Sequence, residues 1–264
     1  MKTQLVLGLA VFSLTGNMVF ADLLVDRGLP SANLNDAAGS DRANVDWVQV
    51  PSSGNNTPTD YEMVGDTFQN TSSQTWNINQ ITLWTDGGTT TAASLWGGVQ
   101  GSTIGVVQSS GVISDATYPG ATGANLQGYQ AMSGAYFSLQ QINFAVNLTL
   151  APGQTYNFFL DGTDPDSGYG LPFVEASNAA LSGSPQDGAD GKMLIAEVVN
   201  GELDPTSIET WDSNGDGWDK STDVNVQVFG SSVPDTANTL ILSGLGFVGL
   251  AFFGYKQNRQ AAVK

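Results

Sequence analysis

The stretch DSNGDGWDKSTD, Asp212 to Asp223, gathers oxygen donors at a spacing that suits a divalent cation. Counted as a twelve-residue loop, it puts Asp212, Asn214 and Asp216 at positions 1, 3 and 5, Gly217 at 6, Trp218 at 7 and Asp223 at 12. Calcium takes about six to eight hard oxygens, and donors at alternate positions of a tight loop wrap one ion, with the Trp218 backbone carbonyl among them. Asp223 is a methylene shorter than the Glu that grips calcium through both oxygens at position 12. The same residues also read as a plain hairpin turn, because Asn-Gly and Asp-Gly are strong turn formers. A second acidic group, Asp161, Asp164 and Asp166, is more loosely spaced and reads as a solvated turn. Nothing singles out two carboxylates whose surroundings would drive their pKa values apart, as glycoside hydrolysis requires, so no catalytic residue is assigned.

Two absences exclude much of the remaining chemistry. The 264 residues include no histidine and no cysteine. Without histidine there is no Ser-His-Asp triad and no imidazole base or ligand. Without cysteine there is no thiolate metal site, no thiol nucleophile and no disulfide, so an exported chain must be held by its core and its ladder hydrogen bonds. Charge narrows the partners further. Between Asp22 and Pro234 stand twenty-four acidic residues against four basic ones, a formal charge of −20. Such a surface repels phosphate backbones, which argues against nucleic acid, and favours solubility and cations.

The two ends read as membrane signals. Lys2, the apolar stretch Leu5–Leu14 and the small residues up to Ala21 have the three parts of a secretory leader, so residues 1–21 are expected to be removed by signal peptidase. At the other end, Leu240–Tyr255 is a 16-residue apolar run with Ser243 as its strongly polar member. As a helix it spans about 24 Å, short against a hydrocarbon core of about 30 Å. Lys256, Arg259 and Lys264 follow it and hold that end on the cytoplasmic side. The glycines at 244, 246 and 249 suit close approach to another membrane helix.

Between these ends the pattern is that of strands. Phe144, Val146, Leu148 and Leu150 alternate with polar or small residues, as do Tyr156, Phe158 and Leu160, and Val224, Val226 and Val228. Period-two alternation predicts strands with one buried face. Further strands are expected at 62–68, 76–84, 94–99, 104–109, 135–144 and 192–199. The apolar phase slips between Ile78 and Ile81, which predicts a bulge. Asp86-Gly87-Gly88, Pro119-Gly120, Pro152-Gly153, Asp161-Gly162 and Asp187-Gly188 read as turns. The segment 162–191 reads as a long loop with a helical turn near 174–181. With no amphipathic helix, the fold class is all-β, a β-sandwich or jelly-roll ectodomain over 22–230. Of the six tryptophans, Trp76, Trp84 and Trp96 lie within strands and are expected in the core, whereas Trp211 and Trp218 flank the acidic loop.

The tail carries a resemblance. Val233-Pro234-Asp235-Thr236-Ala237, a glycine-rich apolar helix over 239–255 and a basic end over 256–264 resemble the PEP-CTERM sorting signal of Gram-negative bacteria. The motif is closest to the Val-Pro-Asp-Ser-Gly variant. It departs from the commoner Val-Pro-Glu-Pro at its third and fourth positions, and its basic end is dilute. The resemblance implies an inner-membrane intermediate, recognition by an exosortase, removal of the tail from the sorting segment 231–264, and delivery to the cell surface or extracellular polymer matrix. Asp26–Trp47, "ITLWTDG", "FFLDG" and "VNVQVFG" look like segments of the sandwich domains such proteins carry. The twelve-residue loop resembles that of dockerins more than that of calmodulin, though a strand and not a helix follows it. The expected role is structural or adhesive in the extracellular matrix, with calcium (Ca2+) as a stabilising ion and extracellular polysaccharide as a partner. A carbohydrate-binding module is the alternative, ahead of a carboxylate-based glycoside hydrolase. Exposed aromatics in a line would mark the former, and a deep cleft holding two carboxylates about 5–9 Å apart the latter.

Overall fold

The structure is a computed structural model that describes residues 21–28, 44–48, 60–86, 90–115, 129–130, 136–137, 139–163, 173–178, 187–211 and 222–233. Seventeen strands run through these residues. The first seven are β1 (Asp22–Arg27), β2 (Asn44–Val48), β3 (Tyr61–Gln69), β4 (Thr75–Asp86), β5 (Ala92–Val99), β6 (Gly105–Gln108) and β7 (Val112–Asp115). Then come β8 (Tyr129–Gln130), β9 (Tyr136–Phe137), β10 (Leu139–Leu150), β11 (Thr155–Thr163) and β12 (Phe173–Asn178). The last are β13 (Met193–Val199), β14 (Glu202–Leu203), β15 (Glu209–Trp211), β16 (Thr222–Val224) and β17 (Val226–Val233).

Two sheets face each other. One has the order β1-β17-β4-β10-β7, with β12, β16 and β2 attached beside β4. The other runs β14-β13-β3-β11-β5-β6, with β15 also on β13. The alternation that predicts one-faced strands is what fills the space between them. Ile81, Leu83, Ile142 and Phe144 from the first sheet meet Leu95, Phe158 and Leu160 from the second, all fully or almost fully buried. Phe68 stacks on Tyr156 with ring centroids 5.3 Å apart. The fold is thus an all-β sandwich, as the alternation implies.

The phase slip at Ile78 is a bulge. Against β17, Gln80 pairs with Phe229 and Ile78 with Gly230, so Asn79 is left without an opposite residue. Gly230 is required there: a Cβ on it would lie 2.2 Å from the Asn77 carbonyl oxygen. The Pro152-Gly153 turn also forms, closed by the Gln154 amide donating to the Ala151 carbonyl at 3.1 Å. Its third residue, Gly153, has φ +77°, the left-handed value a type II turn demands. Asn200-Gly201 makes a similar reversal between β13 and β14, with both φ positive. That dipeptide is a strong hairpin signal in the sequence.

Two expectations are corrected. Residues 162–191 are not a structureless loop with a helical turn. Phe173–Asn178 forms β12, which pairs with β2, β16 and the end of β4. Val174, Glu175 and Ala176 are all fully buried, so the strand lacks the alternation that marks a one-faced strand. Nor do Asp161 and Gly162 turn the chain, since they continue β11 and pair with Ser94 and Ala93.

Both ends of the sandwich leave at one pole. Asp22 pairs with Gly230, and Val233 with Thr75. The β3–β4 and β10–β11 turns lie at this same pole and are tied by Asn70, whose side-chain amide donates to the carbonyls of Gln74 and Leu150 at 2.8 Å each. The expected leader, residues 1–20 in particular, and the expected membrane helix, 239–255, lie outside the described residues. Among the described residues no helix is long and apolar enough to cross a membrane.

Candidate functional site

Strand alternation puts Arg27 and Asp66 into the space between the sheets, and Asp223 reaches them from a stretch, 223–226, that is buried without a break. On β1, Val25 and Arg27 are the buried positions, while Asp26 between them is half-buried. On β3, Asp66 falls between the inward-facing Val64 and Phe68. Asp223 sits in β16, and Asn225 follows it. Arg27 and Asp66 are 1% exposed and Asp223 0%. A charge so far from water persists only when it is paired and hydrogen-bonded.

That condition is met by convergence on one guanidinium. Nη1 of Arg27 donates to Oδ2 of Asp66 and to Oδ1 of Asp223, both at 3.1 Å. Nη2 donates to the Thr67 carbonyl. Asp66 also accepts from the backbone amides of Thr67 and of Val224, the latter at 2.8 Å. Asp223 accepts from the amides of Asp190 at 2.9 Å and Gly191 at 2.8 Å. The Asn225 side-chain amide donates to the carbonyls of Arg27 and Gly28. One cluster therefore joins β1, β3, β16 and the segment before β13, which are far apart in sequence.

The Asp190 carboxylate completes the group, its nearest oxygen within 4.8 Å of those of Asp66 and Asp223. One guanidinium thus bonds two carboxylates, with a third, exposed one beside them. Burial pushes the Asp66 carboxyl up to about 7, against the pull of Arg27, and the neighbouring Asp223 adds to the rise. Burial also raises Asp223, again opposed by Arg27. In donor type the three carboxylates suit a hard cation. The position between Asp66 and Asp223 is taken by Nη1 of Arg27, however, and both oxygens of Asp223 already accept from amides.

Of the expected calcium donors, Asp223 lies among the described residues, and it is buried against Arg27. Asp212, Asn214, Asp216 and Trp218 lie outside the described residues. Of the sorting motif, Val233 closes β17 and is 36% exposed, while Pro234, Asp235, Thr236 and Ala237 lie outside. Asp161 is not the solvated residue expected. It is half-buried on the outer face of the second sheet, accepts from the Tyr61 phenol, and is raised by burial. Asp164 and Asp166 lie outside the described residues. Trp76 and Trp84 are core residues, as their strand positions imply. Trp96 packs with Met63, Phe159 and Ala196 in a smaller apolar cluster. Among the described side chains the large exposed hydrophobics are Leu23, Val106, Val112, Val199 and Val233, with no aromatic among them.

The sequence reading missed Arg27 and Asp66. A signal was present: Asp66 interrupts the inward-facing series Val64, Asp66, Phe68, and a charge at a core position needs a partner.

No family model matches the chain, and no curated protein matches it. Among solved structures the chain is similar to a family 3a carbohydrate binding module from the cipA scaffolding of Clostridium thermocellum. The identity is 10%, over 61% of this chain and 97% of that one, with a TM-score of 0.28. So loose a superposition bears on neither the ligand nor the role of this chain.

Proposed function

We propose that this protein is an exported, non-catalytic β-sandwich of the cell surface or extracellular polymer matrix, with a structural or adhesive role. The observation that supports this best is the commitment of its central charged groups. Asp66, Asp223 and Arg27 are buried and bonded to one another and to backbone amides and carbonyls. Groups so placed lock strands together and offer no carboxylate to a substrate. The route rests on the two ends: signal peptidase removes the leader, the tail segment holds the protein briefly in the inner membrane, and an exosortase releases it. Departure of both ends from one pole suits a domain that hangs from a membrane and is then let go. Calcium at the loop Asp212–Asp223 is part of this reading and would fix the entry to the last strand, with Asp223 sharing its oxygens between the ion and the partners it already has in Arg27 and two amides.

Fractionation of cells producing the full chain tests it, with intact-mass measurement of the surface form. The expected species begins near Asp22 and ends near Asp235. A surface form that keeps residues 240–264 would replace exosortase release with a simple membrane anchor. A protein confined to the cytoplasm would end the proposal.

A further inference from the structure

We infer that the outer face of the seven-stranded sheet carries a binding groove for a neutral saccharide. The inference rests on the proposed location in an extracellular polymer and names what the protein holds there.

The groove has a volume of about 560 Å³ and runs across the strands, from Thr210 on β15 over Leu194 on β13, Thr67 on β3 and Asn157 on β11 to Gln100 beyond β5. That path crosses four strand spacings, about 19 Å at about 4.8 Å each. The size lies inside the range of ligand sites, about 300–1,000 Å³. Its floor belongs to strands paired in the ladders of the sheet, which limits the ordering needed on binding.

The lining fits hydroxyl groups. Amides and hydroxyls dominate it, with Leu194 and Ile208 as an apolar patch beneath. Among the described residues, the side chains of Gln100, Thr155 and Thr210 make no hydrogen bond within the protein. Asn157 gives the sharper sign. The residue is 8% exposed and lines the groove, and its Oδ1, itself closed off from solvent, has no hydrogen-bond partner within the protein. A buried amide without a partner is uncommon in a folded protein and calls for one. Oδ1 meets a ligand hydroxyl only after a half-turn of the amide, which exchanges its donor and acceptor.

Other ligands fit less well. Lys192 is the groove's cation, with Asp190 and Glu209 beside it, on a protein of net charge −17. That balance turns away phosphates, nucleic acids and uronate polymers. A peptide would add to a sheet edge through its backbone, whereas this groove crosses the faces of β13, β3, β11 and β5, each paired on both sides, and reaches β15 at its Thr210 end. Vicinal hydroxyls, each both donor and acceptor, match a row of amides and threonines. Without an exposed aromatic platform, binding by hydrogen bonds and a small apolar patch gives weak affinity, with Kd about 0.1–1 mM.

The test is saturation-transfer NMR and titration of the purified full chain with short neutral gluco-, manno-, galacto- and xylo-oligosaccharides, alongside uronate oligomers. At least one neutral series should bind in that range, and uronates should not. The Gln100→Ala/Thr210→Ala double variant changes two exposed residues, so it should melt with the wild type while binding at least tenfold more weakly, about 1.4 kcal/mol. No neutral oligomer bound at about 10 mM, binding of uronates alone, or unchanged binding by the double variant would each overturn the assignment. These results do not depend on where the cell delivers the protein, so failure here is distinct from failure of the sorting proposal.

Discussion

Replacing Arg27 with Met should remove most of what holds the two sheets together electrostatically, and by an amount that depends on pH. Arg27 donates to Asp66 and Asp223 at 3.1 Å each, and all three residues are at most 1% exposed. Met fills much of the volume, so the loss is chiefly one of charge. A carboxyl of ordinary pKa near 3.9 that must be neutral in the folded protein costs about 5.6 kcal/mol at about pH 8, at about 1.36 kcal/mol per unit. Asp66 already carries most of this cost in the wild type, because burial holds it up to about 7. The added cost falls mainly on Asp223, which places the loss near the 3–5 kcal/mol typical of breaking a buried pair, roughly 4 kcal/mol here. Near pH 5 the same arithmetic caps the cost at about 1.5 kcal/mol per carboxyl. Urea unfolding followed by tryptophan fluorescence, with Trp76 and Trp84 as buried reporters, measures both values. A loss below about 1 kcal/mol at pH 8, or equal losses at both pH values, would refute the account of the cluster.

Further outcomes follow from the same geometry. Because the folded pKa of Asp66 is raised, the native state holds the extra proton between about pH 4 and pH 7, so wild-type stability should fall as pH rises through that window. Asp66→Asn should flatten this slope, and an unchanged slope in a pH series of urea midpoints would assign the titration elsewhere. Gly230→Ala drives a Cβ to 2.2 Å from the Asn77 carbonyl oxygen and should lower stability by about 1–3 kcal/mol, read from the shift in urea midpoint. Phe158→Ala, at a fully buried core position, should cost about 3–5 kcal/mol in the same assay. Millimolar calcium should raise the melting temperature relative to a chelator, and Asp216→Ala should abolish the difference; melting curves that coincide in the wild type would leave Asp212–Asp223 as an ordinary turn.

The strands with one buried face were legible because their signal is local. Side-chain direction in a strand repeats every two residues, so Phe144, Phe158, Val226 and Val228 announce their burial through their immediate neighbours. The bulge at Asn79 was legible for the same reason, as a break in that period. β12 was not, because Val174, Glu175 and Ala176 are buried together and leave no period to read. Asp161-Gly162 misled because the dipeptide favours a turn, whereas pairing with β5 holds β11 straight through it. The charged cluster belongs wholly to tertiary structure. Arg27 stands 39 residues from Asp66 and 196 from Asp223, and nothing beside any of them names the others. The sequence determined that Asp66 lies on an inward face, where a charge demands a partner. Which partner met it was decided only when the first strand paired with the last and carried Arg27 over the interface, because ladder register and not sequence distance sets which side chains meet.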